Sequence, residues 1–173
     1  MPAPERTSLA EIVAAGGEVL EAEGPAGLTM QAVAQRVGVR APSLYKRVRD
    51  REALLGLVAT ATADRLAAAL SSDETLEQVA RTYRAFAHER PEGFRLLLSA
   101  AADPESLARA SAPVLDVAAR LVGPDQALEA ARLLTAWATG FITMELAGAF
   151  RLDGDLEAAF DFGLAQLSAA LSP

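Results

Sequence analysis

The chain has no cysteine and only one histidine among its 173 residues. Without cysteine it can form neither disulfides nor thiolate metal sites, and it fits a reducing compartment. Because His88 is the sole histidine, a histidine-based metal cluster is excluded and a catalytic triad has little to be built from. Phosphate-cradling glycine loops and paired metal-ligand motifs are missing as well. We therefore expect no catalytic residues, no metal site and no cofactor.

Long hydrophobic runs and a signal segment are also missing. The longest uncharged apolar run covers residues 133–144, whereas a membrane-spanning helix needs about 20 residues. The chain does not open with a charged stretch followed by an apolar one, as a secretory signal would. An apolar content of 51% is enough for one large core or two small ones at this length. These features predict a cytoplasmic protein without a membrane partner.

The chain is acidic overall, with a formal net charge of −7, but one segment is basic. Six cations and one anion lie between residues 36 and 51, whereas residues 66–173 hold the whole net negative charge. A protein that binds nucleic acid needs a positive patch where it meets phosphate and does not need a positive average. The alternative interpretation is a solvated, charged helix face. We favour nucleic-acid binding because the basic segment coincides with a turn motif.

That motif covers residues 28–55, which read as two short helices joined by a tight turn and followed by the start of a third helix. Thr29 suits the N-cap of the first helix. Gly38 stands where this helix must end in a left-handed residue, and Pro42 falls in the first turn of the next helix. Asp50 suits the cap of the third helix. This order of signals predicts a helix-turn-helix whose second helix enters the major groove.

The segment resembles the DNA-binding region of the TetR family of bacterial transcriptional repressors. The similarity is carried by Gly-Leu-Thr at 27–29, Val-Ala at 33–34, Val-Gly-Val at 37–39, Pro-Ser-Leu-Tyr at 42–45 and Arg-Glu-Ala-Leu-Leu at 51–55. Two positions depart from the family pattern. Arg40 stands where a small capping hydroxyl is frequent, and Lys46-Arg47 replaces a pair that commonly ends in histidine.

The resemblance implies which residues contact DNA. Thr29, Tyr45 and Arg51 match family positions that clamp the phosphate backbone, so they should set affinity and register. Arg47 can bond phosphates or base edges. The residues expected to face the groove and set the sequence preference are Gln31, Arg40, Ala41, Pro42, Ser43 and Lys46.

Outside the motif every segment has helical periodicity, and none reads as a strand. Further helices are predicted over residues 8–23, 51–70, 75–89, 104–122, 126–150 and 155–171, with a short one opening at Pro91. We therefore expect an all-α fold of about nine helices. Residues 1–50 would form an N-terminal three-helix bundle with the helix-turn-helix, and residues 51–173 a larger helical domain for effector binding and dimerisation.

The larger domain carries a second resemblance. Residues 82–87 with Arg90-Pro91, and residues 137–141 running on to 145–148, are similar to the TetR C-terminal domain type named for a Trp-His-Gly signature. Thr139 stands in place of the histidine, so no imidazole role carries over. In this domain type the corresponding helix lines an effector cavity.

Apolar residues at helical spacing mark the candidate effector site, and Thr139 would be a polar handle within it. Such a stripe is more often solid core than a cavity, and Glu145 would either orient a ligand or pair with an arginine. His88 is expected to be an exposed residue at a helix end. Because the stripe is apolar, we expect an apolar or aromatic effector. Because no basic residue lies between Arg132 and Arg151, we do not expect a strongly anionic one. The candidate ligand-binding residues are Phe86, Phe94, Leu97, Leu98, Trp137, Phe141, Met144 and Glu145.

These observations predict a dimeric, ligand-responsive repressor that binds a palindromic operator in double-stranded DNA and is released by a small effector. The homodimer would form through the last two helices. Two alternatives stay open: an all-α small-molecule-binding protein or enzyme without a DNA function, and a helix-turn-helix used for protein contacts alone. For the dimer interface we expect small residues that allow close approach and larger ones that supply apolar area, namely Ala147, Gly148, Ala159, Gly163 and Ala170, with Phe160, Leu164 and Leu167.

Overall fold

The computed structural model describes residues 7–99 and 102–172, and within these ranges it contains helices and no strand. The all-α prediction is confirmed, and the number of helices in the described ranges is also as predicted. A 3-10 turn at Pro124–Gln126 precedes the eighth helix. The nine helices are α1 Leu9–Gly27, α2 Met30–Arg36, α3 Ala41–Leu44, α4 Arg51–Ala69, α5 Leu76–Glu89, α6 Pro91–Leu97, α7 Pro104–Val122, α8 Ala127–Leu146 and α9 Leu156–Leu171.

The first helix begins with a capping box and continues past its predicted end. The Ser8 hydroxyl accepts the Glu11 backbone N–H at 3.1 Å, and the Glu11 carboxylate accepts the Ser8 N–H at 2.6 Å. The bond from the Ser8 N–H, and a second one from the Ser8 hydroxyl to the same carboxylate, hold the pKa of Glu11 below its usual value. We predicted a break after Glu23, but helical structure resumes at Pro25 beyond a single non-helical residue, Gly24.

The chain divides into two compact units. The N-terminal unit comprises the described residues of Met1–Arg65 and Arg90–Leu107. Its core is formed by α1 to α4 and α6, and it includes the fully buried side chains of Ile12, Leu28 and Val33. The sequence-based boundary at residue 50 marks the end of the helix-turn-helix, whereas this unit also takes in most of α4 and all of α6.

The C-terminal unit comprises Leu66–Glu89 and Ala108–Pro173, and its α5, α8 and α9 pack against one another. The predicted helix 126–150 ends early, at Leu146. Gly148 adopts φ 61° there, and its N–H and that of Ala149 bond back to the carbonyls of Glu145 and Met144. This is a Schellman motif, which only a residue tolerant of the left-handed conformation can complete without strain.

Two further observations concern membrane-spanning helices and metal sites. Among the described residues, no helix is long and apolar enough to cross a membrane. Over the same ranges, no three His, Asp or Glu side chains are grouped closely enough to hold a metal ion.

Candidate nucleic-acid interface and effector region

The turn between α2 and α3 is built from short-range hydrogen bonds. The Thr29 hydroxyl accepts the Ala32 N–H at 3.1 Å and so caps α2, as predicted. At the other end Gly38 adopts φ 74°, its N–H bonds to the Gln35 carbonyl at 3.2 Å, and the Val39 N–H bonds to the Ala34 carbonyl at 2.9 Å. The left-handed glycine thereby reverses the chain within three residues.

The short helix α3 is anchored by its apolar side and exposes its polar side. Leu44 and Val48 are fully buried, and Pro42 lies in the first turn. Arg40 is the N-cap residue but makes no side-chain capping bond, which leaves its guanidinium free to act elsewhere. Tyr45 keeps 55% of its surface exposed. The other exposed residues of the predicted DNA-contacting set are Gln31, Arg40, Pro42, Ser43, Lys46, Arg47 and Arg51, while Thr29 and Ala41 are half-buried.

The cations of the basic segment differ in their partners. Arg36 lies 3.5 Å from Glu18, and Arg49 lies 2.6 Å from Asp50. By contrast, Arg40 and Lys46 make no ion pair with any residue that the structure describes. Two unneutralised charges therefore flank the exposed face of α3, where a phosphate backbone would be attracted.

The start of α4 is tied into the motif by Asp50 and Arg51. Asp50 Oδ1 accepts the Ala53 N–H at 2.8 Å, and this bond together with the one from Arg49 lowers the pKa of Asp50. Arg51 was predicted to clamp phosphate, but its Nε donates to the Leu28 carbonyl at 2.8 Å and its Nη2 donates to the Pro25 carbonyl. The guanidinium thus fixes the segment that joins α1 to α2 through hydrogen bonds to its carbonyl groups. No local sequence signal predicts this long-range contact.

The predicted effector residues are divided between the two units. Phe94, Leu97 and Leu98 belong to the N-terminal unit, where Phe94 is buried and Leu98 is exposed. The other five belong to the C-terminal unit. Within it Phe86 is buried and Met144 is 45% exposed, whereas Trp137, Phe141 and Glu145 are half-buried.

Four rings of the C-terminal unit, Trp137, Phe141, Phe150 and Phe160, form an aromatic cluster. Trp137 stacks on Phe160 with ring centroids 5.0 Å apart, and Phe141 meets Phe160 edge-on at 5.2 Å. Phe141 also lies 4.9 Å from Phe150. Sequence spacing identified Trp137 and Phe141 but missed Phe150 and Phe160, because these reach the cluster from the turn after α8 and from α9. The four rings fill the middle of this cluster, so a ligand that bound there would have to share that space with them.

Polar groups beside the cluster are paired with one another. The Tyr83 hydroxyl lies 3.0 Å from the Thr139 hydroxyl, and burial raises the pKa of Tyr83. Of the two interpretations of Glu145, pairing with an arginine is the one observed: Arg84 donates Nε to Oε2 at 2.9 Å and Nη2 to Oε1 at 2.5 Å. The partly exposed His88 adds an Nε2 contact at 3.0 Å. Neither Arg84 nor His88 was assigned to this site from the sequence.

Comparison with known proteins identifies the family. Residues 12–58 match bacterial regulatory proteins of the tetR family, and residues 76–167 match the tetracyclin repressor-like C-terminal domain. The chain belongs to the TetR family. It is therefore a DNA-binding regulator of transcription.

Individual relatives agree with this assignment. An uncharacterized HTH-type transcriptional regulator of Mycobacterium tuberculosis is 30% identical over 97% of this chain and 83% of its own length. Among solved structures, a TetR variant of Acinetobacter baumannii AYE in complex with minocycline has a TM-score of 0.72 at 25% identity, covering 95% of this chain and 96% of that one. A protein of unknown function from Rhodococcus sp. RHA1 shares the fold over all of both chains, with a TM-score of 0.81 at 21% identity.

The last two helices of this TetR regulator bury some of the residues that we expected at a dimer interface. Phe160 and Leu164 are buried within the chain itself, so they cannot supply exposed area. Gly163 faces inward, since a Cβ there would stand 2.5 Å from Cζ2 of Trp137. Both helices instead expose other apolar and small residues at helical spacing. These are Leu133, Ala136, Gly140 and Met144 on α8, and Ala158, Phe162, Ala165 and Ala169 on α9. Of the residues that we expected at the interface, Ala147, Gly148, Ala159 and Ala170 are exposed as well.

Proposed function

We propose that this TetR regulator is a repressor that binds a palindromic operator as a homodimer and releases it when a small apolar or aromatic effector binds. The observation that carries the proposal is the exposed polar face of α3, flanked by the unpaired cations Arg40 and Lys46. A bacterial DNA-binding regulator acts where the chromosome is, so we place its activity in the cytoplasm.

The contacts with DNA would divide into two kinds. Tyr45 is exposed, and its hydroxyl would donate a hydrogen bond to a phosphate. The Thr29 oxygen accepts the Ala32 N–H, and the Thr29 hydroxyl hydrogen would donate to a phosphate. Ser43 on α3 and Lys46, two residues past its end, are exposed and would read base edges in the major groove. Arg51 would act indirectly, because its guanidinium holds the connection that positions α2.

Dimerisation is supported by the exposed stripes on α8 and α9. Phe162 leaves 67% of its surface exposed, and the surrounding small residues would let two copies of this helix pair approach closely. Two such pairs packed together make a four-helix bundle. A single four-residue α3 covers only a few base pairs, so a two-fold pair reading two half-sites is expected to provide the specificity.

The effector would act in the C-terminal unit, at the partly exposed sides of Trp137 and Phe141. The Acinetobacter relative contains minocycline, which supports a small-molecule ligand for this fold. Helix α4 runs from one unit into the other, with Arg65 in the first and Leu66 in the second. We propose α4 as the element whose position the effector changes, provided that the effector binds one position of α4 more tightly.

One experiment tests the DNA-binding proposal. Randomised double-stranded DNA is selected with the purified protein, the bound fragments are sequenced, and the affinity for the best fragment is followed by fluorescence anisotropy at increasing salt. We expect two half-sites related by two-fold symmetry and an affinity that falls steeply with salt. A selected DNA sequence with a single half-site would contradict the homodimer. An affinity that does not change with salt concentration would contradict phosphate binding by the basic segment.

Trp137 is the only tryptophan, so its fluorescence reports on the effector region. Compounds from an aromatic panel that includes minocycline are screened for release of the selected DNA. We expect those that release it to change the Trp137 emission. Phe141→Ala should weaken this response while operator binding stays intact, and loss of folding in that variant would identify the aromatic cluster as solid core.

A further inference from the structure

A cleft of about 200 Å³ lies between α1 and α4 in the N-terminal unit, apart from the residues assigned above to DNA or effector. Its α1 wall is made of residues spaced three, four and seven positions apart, which places them on one side of the helix. All of them are small: Ala10, Val13, Ala14 and Gly17.

The α4 wall has the same spacing and adds two polar groups. Val58 and Thr62 are buried at its base, and the Thr62 hydroxyl donates to the Val58 carbonyl at 2.8 Å. Ala61 and Arg65 complete the wall, and Arg65 is the only charged residue of the lining. No acidic group that the structure describes pairs with Arg65. The cleft is thus apolar with one unneutralised guanidinium.

Two adjacent glycines show where the helices meet and where they part. A Cβ on Gly16 would lie 2.8 Å from Cγ2 of Val58, so α1 and α4 touch there. A Cβ on Gly17 would find no atom within 4 Å. Glycine is a poor helix former, and packing does not require it at position 17. Gly17 lines the cleft, and a larger side chain at this position would extend into open space.

We propose that this cleft binds a small carboxylic acid, with its apolar body between α1 and α4 and its carboxylate on Arg65. The size is suitable, because an apolar cavity of about 150 Å³ already binds benzene. Arg65 supplies the charge complement, since a guanidinium holds a carboxylate through two parallel hydrogen bonds. The site belongs to the unit that carries α3, and none of its lining residues is among the proposed effector residues.

The test is a titration of the full-length protein with sodium octanoate at constant ionic strength, followed by NMR of the alanine methyl groups. We expect the Ala10, Ala14 and Ala61 resonances to shift. Gly17→Leu should weaken binding at least tenfold because its side chain fills the cleft. Ala22→Leu, which adds similar bulk at an exposed position of α1 outside the lining, should bind as wild type does.

The neutral analogue 1-octanol separates the charge from the apolar contact. Arg65→Gln should weaken octanoate binding about tenfold and leave 1-octanol binding unchanged. Octanoate binding that is untouched by Gly17→Leu, or no shift of the three methyl groups, would overturn the proposal, as would equal binding of octanol and octanoate to wild type. Thermal unfolding of each variant confirms that it folds. The assay contains no DNA, so its failure would not count against the proposed repressor function.

Discussion

Arg84 on α5 and Glu145 on α8 form a two-bond ion pair in the C-terminal unit. Their side chains retain only 14% and 9% of their exposure. The same guanidinium contacts the Glu157 carboxylate and lies over the Phe160 ring, 5.0 Å from its centroid. Arg84 therefore links α5 to α8 and α9, and an effector that bonded to Glu145 would have to compete with Arg84.

Removing one partner of this pair should cost more than removing both. We expect Arg84→Met to lower the free energy of unfolding by about 3 kcal/mol, because Glu145 is left poorly compensated. The double variant Arg84→Met/Glu145→Met should recover much of that loss. Urea unfolding of the two single variants and the double variant measures the coupling. Additive losses would show that the two side chains do not depend on each other.

Acid should weaken the C-terminal unit through Glu145. Its pKa is lowered from 4.5, first by the hydrogen bonds from Arg84 and then by that from His88. A lowered pKa in the folded state gives a stabilisation that is present above pH 4.5 and is lost as the pH falls through the folded-state value. Melting temperatures measured from pH 6 to pH 3 should therefore fall less steeply in Glu145→Gln than in wild type.

The control for this pH series is Glu77→Gln, at an exposed position of α5, the helix that carries the Glu145 partner Arg84. Glu77 makes no ion pair with a described residue, so its removal should leave the wild-type slope. If both variants had the same slope, Glu145 would not be the group responsible.

Two substitutions at exposed positions directly after α3 should separate affinity from specificity. Tyr45→Phe should weaken binding to all sites alike, by about 1 kcal/mol for one lost hydrogen bond. Lys46→Ala should also change the preferred sequence, which repeated selection with randomised DNA would reveal. Arg151→Ala removes the same charge far along the sequence and should do neither. A Lys46→Ala variant with unchanged affinity and preference would show that α3 does not read the groove.

The role of Arg51 can be tested without changing its charge. Arg51→Lys keeps the cation but cannot reach both the Leu28 and the Pro25 carbonyls, so we expect a loss of about 1–2 kcal/mol in urea unfolding. The salt dependence of DNA binding should stay as in wild type. Arg49→Lys, at an exposed position of the same basic segment, is the matched control and should keep its stability. Unchanged stability with a reduced salt slope would instead assign Arg51 to phosphate.

Phe162 should be decisive for the proposed dimer. We expect Phe162→Glu to give a monomer in light scattering, near the 18.1 kDa of one chain, because a charge would be buried at the apolar interface. The same change at Leu9, an exposed apolar residue of α1, should leave the dimer intact. Monomeric wild-type protein that binds its palindrome tightly would refute the interface.

Local signals in the sequence were sufficient for the helix-turn-helix. Thr29, Gly38, Pro42 and Asp50 all act on backbone groups within a few residues of themselves. The groups that form such hydrogen bonds are close in the sequence, so residue type and spacing predict them. The helical period predicted α4 and α7 for a similar reason, since side chains three and four positions apart share a face. The same period could not locate the end of α8, because a single glycine at 148 decides it.

Partners that are distant in sequence were decided only by the tertiary structure. Arg84 is hydrogen-bonded to Glu145, 61 positions away in the sequence, and Arg51 is hydrogen-bonded to Leu28, 23 positions away. Helical period places Phe160 and Phe162 on different sides of α9, but it does not say which side packs inward, and the packing of α9 on Trp137 buries Phe160 and exposes Phe162. A sequence thus determines its caps, turns and faces through contacts a few residues apart. Which charge is neutralised and which apolar face stays open depends on how helices meet, because only packing brings such groups within bonding distance.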